Sequence, residues 1–127
     1  MGVIANPDSG KDIRRIVGHA ITVSTQQKQN ILERLLVALC SSGVGRIEIM
    51  PDRFGLGVRA VDALTDDAAV QGATHLIDMP VENEAIDSLR AATHLREKGA
   101  DCIVVLGGDG TTRIVSKASG QIPLLPI

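Results

Sequence analysis

The sequence predicts an α/β domain: a three-layer parallel sheet of about five strands with helices on both faces. Three observations predict it. Short apolar runs alternate with longer helical patterns along the whole chain, the order expected of parallel strands joined by crossover helices. The run at 102–106, Cys-Ile-Val-Val-Leu, is apolar at every position, which marks a strand buried on both faces. Two glycines directly behind that run permit a tight turn into a following helix.

The elements follow in order. Val3-Ile4-Ala5 is a short first strand, stopped by Asn6-Pro7, and Asp8-Ser9-Gly10-Lys11 leads into a brief helical stretch at 12–17. Ser24-Thr25-Gln26-Gln27 fits a capping box, because Gln27 can reach back to the Ser24 amide. The helix behind it places Ile31, Leu32, Leu35, Leu36 and Leu39 at spacings of three and four, and Gly43 ends it. Ile47-Glu48-Ile49-Met50 is the second strand, closed by Pro51. One helix is predicted over 57–71, ended by Gly72, and a third strand over 74–79. Asn83 is expected to cap the next helix, with Glu84 in its first turn and Lys98-Gly99 at its end. The strand at 102–106, a short helix to Ser119 and a last strand within 122–127 complete the pattern.

Size and composition narrow the function. A chain of 127 residues, 44% hydrophobic and with formal net charge −2, suits one domain with a single core. Near-neutral charge and the absence of Trp and Tyr, with one Phe, speak against nucleic-acid binding. Cys40 and Cys102 lie in apolar segments and read as free thiols in a reducing compartment. No secretory leader and no run of membrane-spanning length is evident, and Asn6 stands where a myristoylation signal needs Ser or Thr. The expected location is cytoplasmic. Pro123-Leu124-Leu125-Pro126-Ile127 is an apolar strand with no loop or helix behind it, so the chain is expected to be a piece of something longer.

Chemistry concentrates at two loops. Gly107-Gly108-Asp109-Gly110-Thr111 sits between a buried strand and a helix whose first turn is expected at Thr111. The free N–H groups of a helix start make an anion site. A carboxylate inside that turn would repel a phosphate unless a metal lies between them or the acid accepts a proton, which points to phosphoryl transfer. The plainer alternative is a strand-to-helix turn with Asp109 as a local cap. At the end of the first strand, Ser9 and Lys11 supply a hydroxyl and a cation suited to phosphate oxygens; a solvated turn is the alternative. This loop is not a P-loop, because Ala5 stands where the first glycine belongs and Asp12 replaces the final Ser or Thr.

Gly55-x-Gly57-x-x-Ala60, with Asp78 near the end of the next strand, matches a dinucleotide fingerprint, but four residues separate the glycines from the second strand. A flexible loop with glycine hinges that closes over a ligand is the preferred reading there. His19, His75 and His94 form no ligand spacing, and His94 is expected to face solvent. Glu82, Glu84 and Asp87 read as an acidic cluster at a helix start, so no metal-ligating residues are expected.

Asn6-Pro7-x-Ser9-Gly10-Lys11 together with Gly107-Gly108-Asp109-Gly110-Thr111 resembles the ATP-NAD kinase family. That family shares a superfamily with the diacylglycerol and sphingosine kinases and, more distantly, the phosphofructokinases. The resemblance spans the whole chain. It is nearest to a bacterial branch linked to acetoin catabolism, which opens with Ile-Ala-Asn-Pro-x-Ser-Gly-Lys-Asp-Ile-Arg-Arg, here residues 4–15.

The resemblance implies that residues 1–127 form an N-terminal nucleotide-binding α/β domain and that a C-terminal β-rich domain is absent from this chain. It implies transfer of the ATP γ-phosphoryl group to a hydroxyl, the NAD 2′-hydroxyl, with Mg²⁺ bridging the phosphates. Asp109 would be the catalytic acid–base residue. Gly107, Gly108, Gly110, Thr111, Thr112 and Arg113 would approach the nucleotide, and Asn6, Ser9, Gly10 and Lys11 would line the same cleft. Thr112 departs from the Asn that often follows the glycine turn in this branch, while Arg113 fits. A kinase of another hydroxyl acceptor, like the diacylglycerol kinases, and a non-catalytic nucleotide-binding module are the alternatives. A fragment of this kind should have little activity alone, and its uncovered apolar surface would favour self-association.

Overall fold

The computed structural model describes residues 1–8 and 24–127. Its elements are β1 (Gly2–Ala5), α1 (Thr25–Ser41), β2 (Ile47–Ile49), α2 (Leu56–Ala63), α3 (Ala68–Ala73), β3 (Thr74–Leu76), α4 (Ala85–Glu97), β4 (Ile103–Leu106), α5 (Asp109–Ala118) and β5 (Leu124–Pro126). The five strands form one parallel sheet in the order β3-β2-β1-β4-β5. The expected α/β class is therefore the observed one.

The central strands β1 and β4 are buried at every position, so they carry no polar face. Their side chains alternate between two cores. Val3, Ala5, Val104 and Leu106 meet Leu32, Leu36, Leu56, Ala60 and Val70 on one face. Ile4, Ile103 and Val105 meet Ala91, Ala92, Leu95 and Val115 on the other. Helices α1–α3 thus cover one face and α4–α5 the other, which makes the three layers.

The capping box forms as expected: the Ser24 hydroxyl accepts from the Gln27 amide at 3.2 Å, and Gln27 Oε1 accepts from the Ser24 amide at 2.9 Å. The buried stripe of α1 is Lys28, Leu32 and Leu36, flanked by half-buried Leu35 and Leu39; Ile31 is exposed. The helical stretch expected at 12–17 lies outside the described residues.

Four expectations need correction. The single helix over 57–71 is two helices, because the Asp67 side chain accepts from the Val70 amide at 3.1 Å and starts α3 afresh. Gln71 then ties the pieces together, donating to the Val61 and Leu64 carbonyls at 2.8 and 3.1 Å. Strand β3 ends at Leu76, although the Ile77 amide still reaches the Ile49 carbonyl at 2.9 Å.

The third correction is the α4 start. Asn83 does not cap it; Glu84 occupies the N-cap, and Asn83 lies outside with φ 62°. Asp87 reaches back instead, accepting from the Glu82 amide at 3.0 Å and the Asn83 amide at 2.9 Å. Glu82 pairs with Arg90 at 3.0 Å. Glu82 and Asp87 are thus held by local bonds. The fourth is His94, which faces the sheet rather than solvent: its Nε2 lies 3.5 Å from Glu48 Oε1, an oxygen that Arg46 also approaches at 3.7 Å.

Candidate active site

In this sheet the chain moves from β1 outward through β2 to β3, then crosses back to β4 on the other side of β1. Ligands of such sheets bind at that reversal, beyond the carboxyl ends of the strands. Asn6 and Gly107 stand there side by side. The register pairs Ala5 with Leu106, and the Asn6 amide extends the ladder by donating to the Leu106 carbonyl at 2.9 Å.

A side-chain bond joins the two loops: Asn6 Nδ2 donates to Thr111 Oγ1 at 3.0 Å. Asn6 Oδ1 accepts from the Asp8 amide at 2.9 Å, so both ends of the Asn6 amide group are engaged in shaping the turn. Thr111 is buried beneath the turn, and a β-carbon at Gly107 would lie 2.9 Å from its Cβ and Oγ1. Gly107 therefore serves packing. Gly108 and Gly110 face open space, with nothing within 4 Å of a β-carbon placed on either.

Helix α5 begins at Asp109, two residues before the expected start, with extended Gly108 as its N-cap and no side chain capping it. Asp109 and Gly110 are exposed, as is Arg113. Thr112 is half-buried; its amide and hydroxyl both donate to the Gly108 carbonyl, at 3.1 and 3.3 Å. Its hydroxyl is thus engaged within the turn. Ser9, Gly10 and Lys11 lie outside the described residues.

Two residues at this edge escaped the sequence reading. Lys28 is 2% exposed, and its ammonium donates to the carbonyls of Asn6 and Pro7 at 2.9 and 3.0 Å. A lysine four residues before Leu32, on the apolar stripe, was the available signal. Asp52, just past β2, accepts from the Phe54 and Leu56 amides at 2.8 and 2.9 Å. Burial raises its carboxyl above the ordinary value, opposed by the backbone bonds of Leu56, Phe54 and Gly55 and by the Arg59 charge.

Asp52, Arg53, Asn6, Asp8, Asn83 and Asp87 are among the residues lining a cleft of about 130 Å³ next to the Asn6 turn. A larger groove of about 760 Å³ lies by Met1, Arg46, Glu48, His94 and Asp101. Most of that lining precedes β1, β2 and β4, at the amino edge of the sheet, where doubly wound folds do not place their chemistry.

The glycines of the fingerprint-like segment have structural tasks. Gly55 is the N-cap of α2 with φ 67°, and a β-carbon on Gly57 would lie 2.9 Å from Ile49 Cγ2. Gly57 lets α2 approach the sheet.

Among the described residues, no group of three His, Cys, Asp or Glu side chains is placed to hold a metal ion. A cation at the Gly107–Thr111 turn would share the Asp109 carboxylate with ligand oxygens, an arrangement usual for Mg²⁺ bound with phosphates. Among the described residues, no helix is long and apolar enough to cross a membrane.

Comparison with known proteins supplies an independent line. The family model of the ATP-NAD kinase N-terminal domain matches residues 1–127. The chain is 42% identical over 128 residues to acetoin catabolism protein X of Cupriavidus necator. That alignment covers 98% of this chain and 35% of the relative, so the chain spans about a third of that protein's length. No solved structure matches the chain significantly.

Proposed function

Because this chain belongs to the ATP-NAD kinase family, matching its N-terminal domain over residues 1–127, we propose that the full-length protein transfers the γ-phosphoryl group of ATP to a hydroxyl, the 2′-hydroxyl of NAD. The observation that carries the reading is the strand–turn–helix at Gly107–Thr111. It sets an exposed carboxylate and an uncapped helix start at the point where the strand order reverses.

The residues suit the reaction. Backbone N–H groups at the start of α5 meet phosphate oxygens, and Gly108 and Gly110 leave the approach open. Asp109 accepts the proton of the acceptor hydroxyl as its oxygen bonds to phosphorus and the bond to ADP breaks. Mg²⁺, when bound with the nucleotide, neutralises charge on the phosphates. Asn6 holds the Thr111 end of the turn in place; by the family resemblance, Ser9, Gly10, Lys11 and Arg113 would contribute polar groups and charge to nucleotide binding. In this reading a second, β-rich domain in the full-length protein completes the NAD and ATP sites, in keeping with a chain that spans 35% of its relative.

Two observations favour a second reading, in which the acceptor is another hydroxyl compound. Thr112 replaces the family's frequent Asn and spends its hydroxyl on Gly108, and the relative is named for acetoin catabolism. The test is a phosphoryl-transfer assay on the full-length protein with ATP and Mg²⁺, offered NAD and a panel of small alcohols. Product formation that falls by about 10²–10⁴-fold in Asp109→Asn supports the role of Asp109. Undiminished turnover in that variant refutes it, and transfer to an alcohol in preference to NAD selects the second reading.

A further inference from the structure

Lys28 sits where a lysine is costly. It shares the core stripe of α1 with Leu32 and Leu36 and is 2% exposed, so its ammonium is taken out of water. It is also the fourth residue of the helix, near the positive end of the dipole, where a cation is disfavoured. Hydrogen bonds offset these costs: Nζ donates to the Asn6 carbonyl at 2.9 Å and the Pro7 carbonyl at 3.0 Å. These carbonyls belong to the turn by which the chain leaves β1 at the candidate site. The same Asn6 that receives the ammonium on its carbonyl donates its side-chain amide to Thr111, the buried foot of the Gly107–Thr111 turn.

We propose that Lys28 is a positioning residue for phosphoryl transfer. Its ammonium clamps the Asn6–Pro7 turn, and the Asn6 side chain passes that fixed position to Thr111 and so to Asp109 and the start of α5. The positioning role rests on the functional reading above; the clamp itself does not. The physical basis is that Asn6 has one backbone carbonyl and one side-chain amide, and their directions are coupled through a short side chain. Anchoring the carbonyl from the α1 side holds the backbone from which the side chain extends, and so narrows where the amide can reach.

The experiment uses the full-length protein and two readouts. Hydrogen exchange followed by mass spectrometry compares wild type with Lys28→Met, Lys28→Gln and Thr111→Val. In Lys28→Met, exchange over 107–112 should rise about tenfold while the β4 segment stays protected. Lys28→Gln keeps an uncharged NH2 donor on a stem one bond shorter, should fold even if the Met variant does not, and should give an intermediate rise. Thr111→Val cuts the connection beyond Asn6, so adding Lys28→Met to it should raise exchange over 107–112 by less than about twofold more. In the phosphoryl-transfer assay, kcat of the Lys28 variants should fall about tenfold with the ATP KM changed less than about threefold.

Unaltered exchange over 107–112 in the folded Lys28 variants overturns the clamp, whatever the enzyme does. An equal rise with and without Thr111→Val overturns the route through Asn6. Raised exchange with unchanged kcat overturns the positioning role. A wild-type protein that transfers no phosphoryl group to any acceptor overturns the functional reading, and it does so before any Lys28 variant is assayed.

Discussion

Gly107→Ala separates two jobs that look identical in the sequence. A β-carbon at Gly107 would lie 2.9 Å from Thr111 Cβ and Oγ1 and 3.1 Å from Cγ2. Ordinary carbon contacts need about 3.5–4.0 Å, and Thr111 Cβ is fixed to the helix backbone, so the turn or the start of α5 must move. Overpacking of this kind costs about 1–3 kcal/mol. Displacing Thr111 also weakens its bond from Asn6, about 0.5–1.5 kcal/mol more. The stiffer unfolded chain returns about 0.4–1 kcal/mol. The net loss centres on about 2 kcal/mol, within a span of about 0.5–4 kcal/mol, and the central value is roughly 6–10 °C in Tm for a domain of this size.

The controls are in the same motif. Gly108 has φ −86° and open space around its β-carbon, so Gly108→Ala should stay within about 1 kcal/mol of wild type. Gly110→Ala, exposed in the first turn of α5, should gain up to about 1 kcal/mol from helix propensity. Urea unfolding of the three variants, followed by circular dichroism with the slope m checked for constancy, measures the contrast. The reasoning fails if Gly107→Ala lies within about 0.5 kcal/mol of wild type, or if Gly108→Ala is as damaging.

Two further outcomes follow from shifted ionisations. Asp52 is raised above its ordinary value of 3.8, chiefly by burial, so its contribution to stability is complete below that value and is lost as pH rises through the folded-state value. Wild-type stability relative to Asp52→Asn should therefore decline as pH rises from 3.8; urea unfolding of both proteins across that range would refute the assignment if the difference were flat or rising. The Cys40 thiol is pushed above 9.0 by burial first and by the Asp67 charge second. Native Cys40 should alkylate with iodoacetamide more slowly than the unfolded chain, and Asp67→Asn, which keeps a good N-cap, should speed it modestly. Equal native and unfolded rates would contradict the burial argument.

What was legible in the sequence was local. Ser24 and Gln27 cap each other across three residues, and 102–106 reads as a buried strand because nothing polar interrupts it. The order of strands and helices implied the parallel sheet, and the glycine turn behind β4 located the candidate site. What escaped was decided by partners distant in the chain or by competition among short polar side chains. Lys28 looks like a solvated helix residue until the Asn6 and Pro7 carbonyls arrive from 22 and 21 residues away. His94 looks exposed until Glu48, 46 residues earlier, comes across the sheet. The segment 57–71 looks like one helix, yet α2 ends at Ala63 and the Asp67 carboxylate, by capping the Val70 amide, starts a second one. Asn83 was the expected cap, and Asp87 shifted the start to Glu84 by bonding backward to residues 82 and 83.

The same distinction bears on how the site is held. Its two loops are 105 residues apart in sequence, and the side-chain bond that joins them among the described residues, from Asn6 to Thr111, is a neutral one. Such a bond contributes only about 1 kcal/mol, too little to fix a catalytic geometry by itself. The fixing comes from what stands behind each end. On one side lie the β1–β4 ladder and the Lys28 ammonium; on the other, the buried methyl of Thr111 is packed against a glycine that leaves no spare room. Asp109 needs no buried partner of its own under this arrangement, because the backbone that carries it is already placed. The acid itself stays exposed at the start of α5, while Lys28 and Thr111, which hold the backbone behind it, are 2% and 5% exposed.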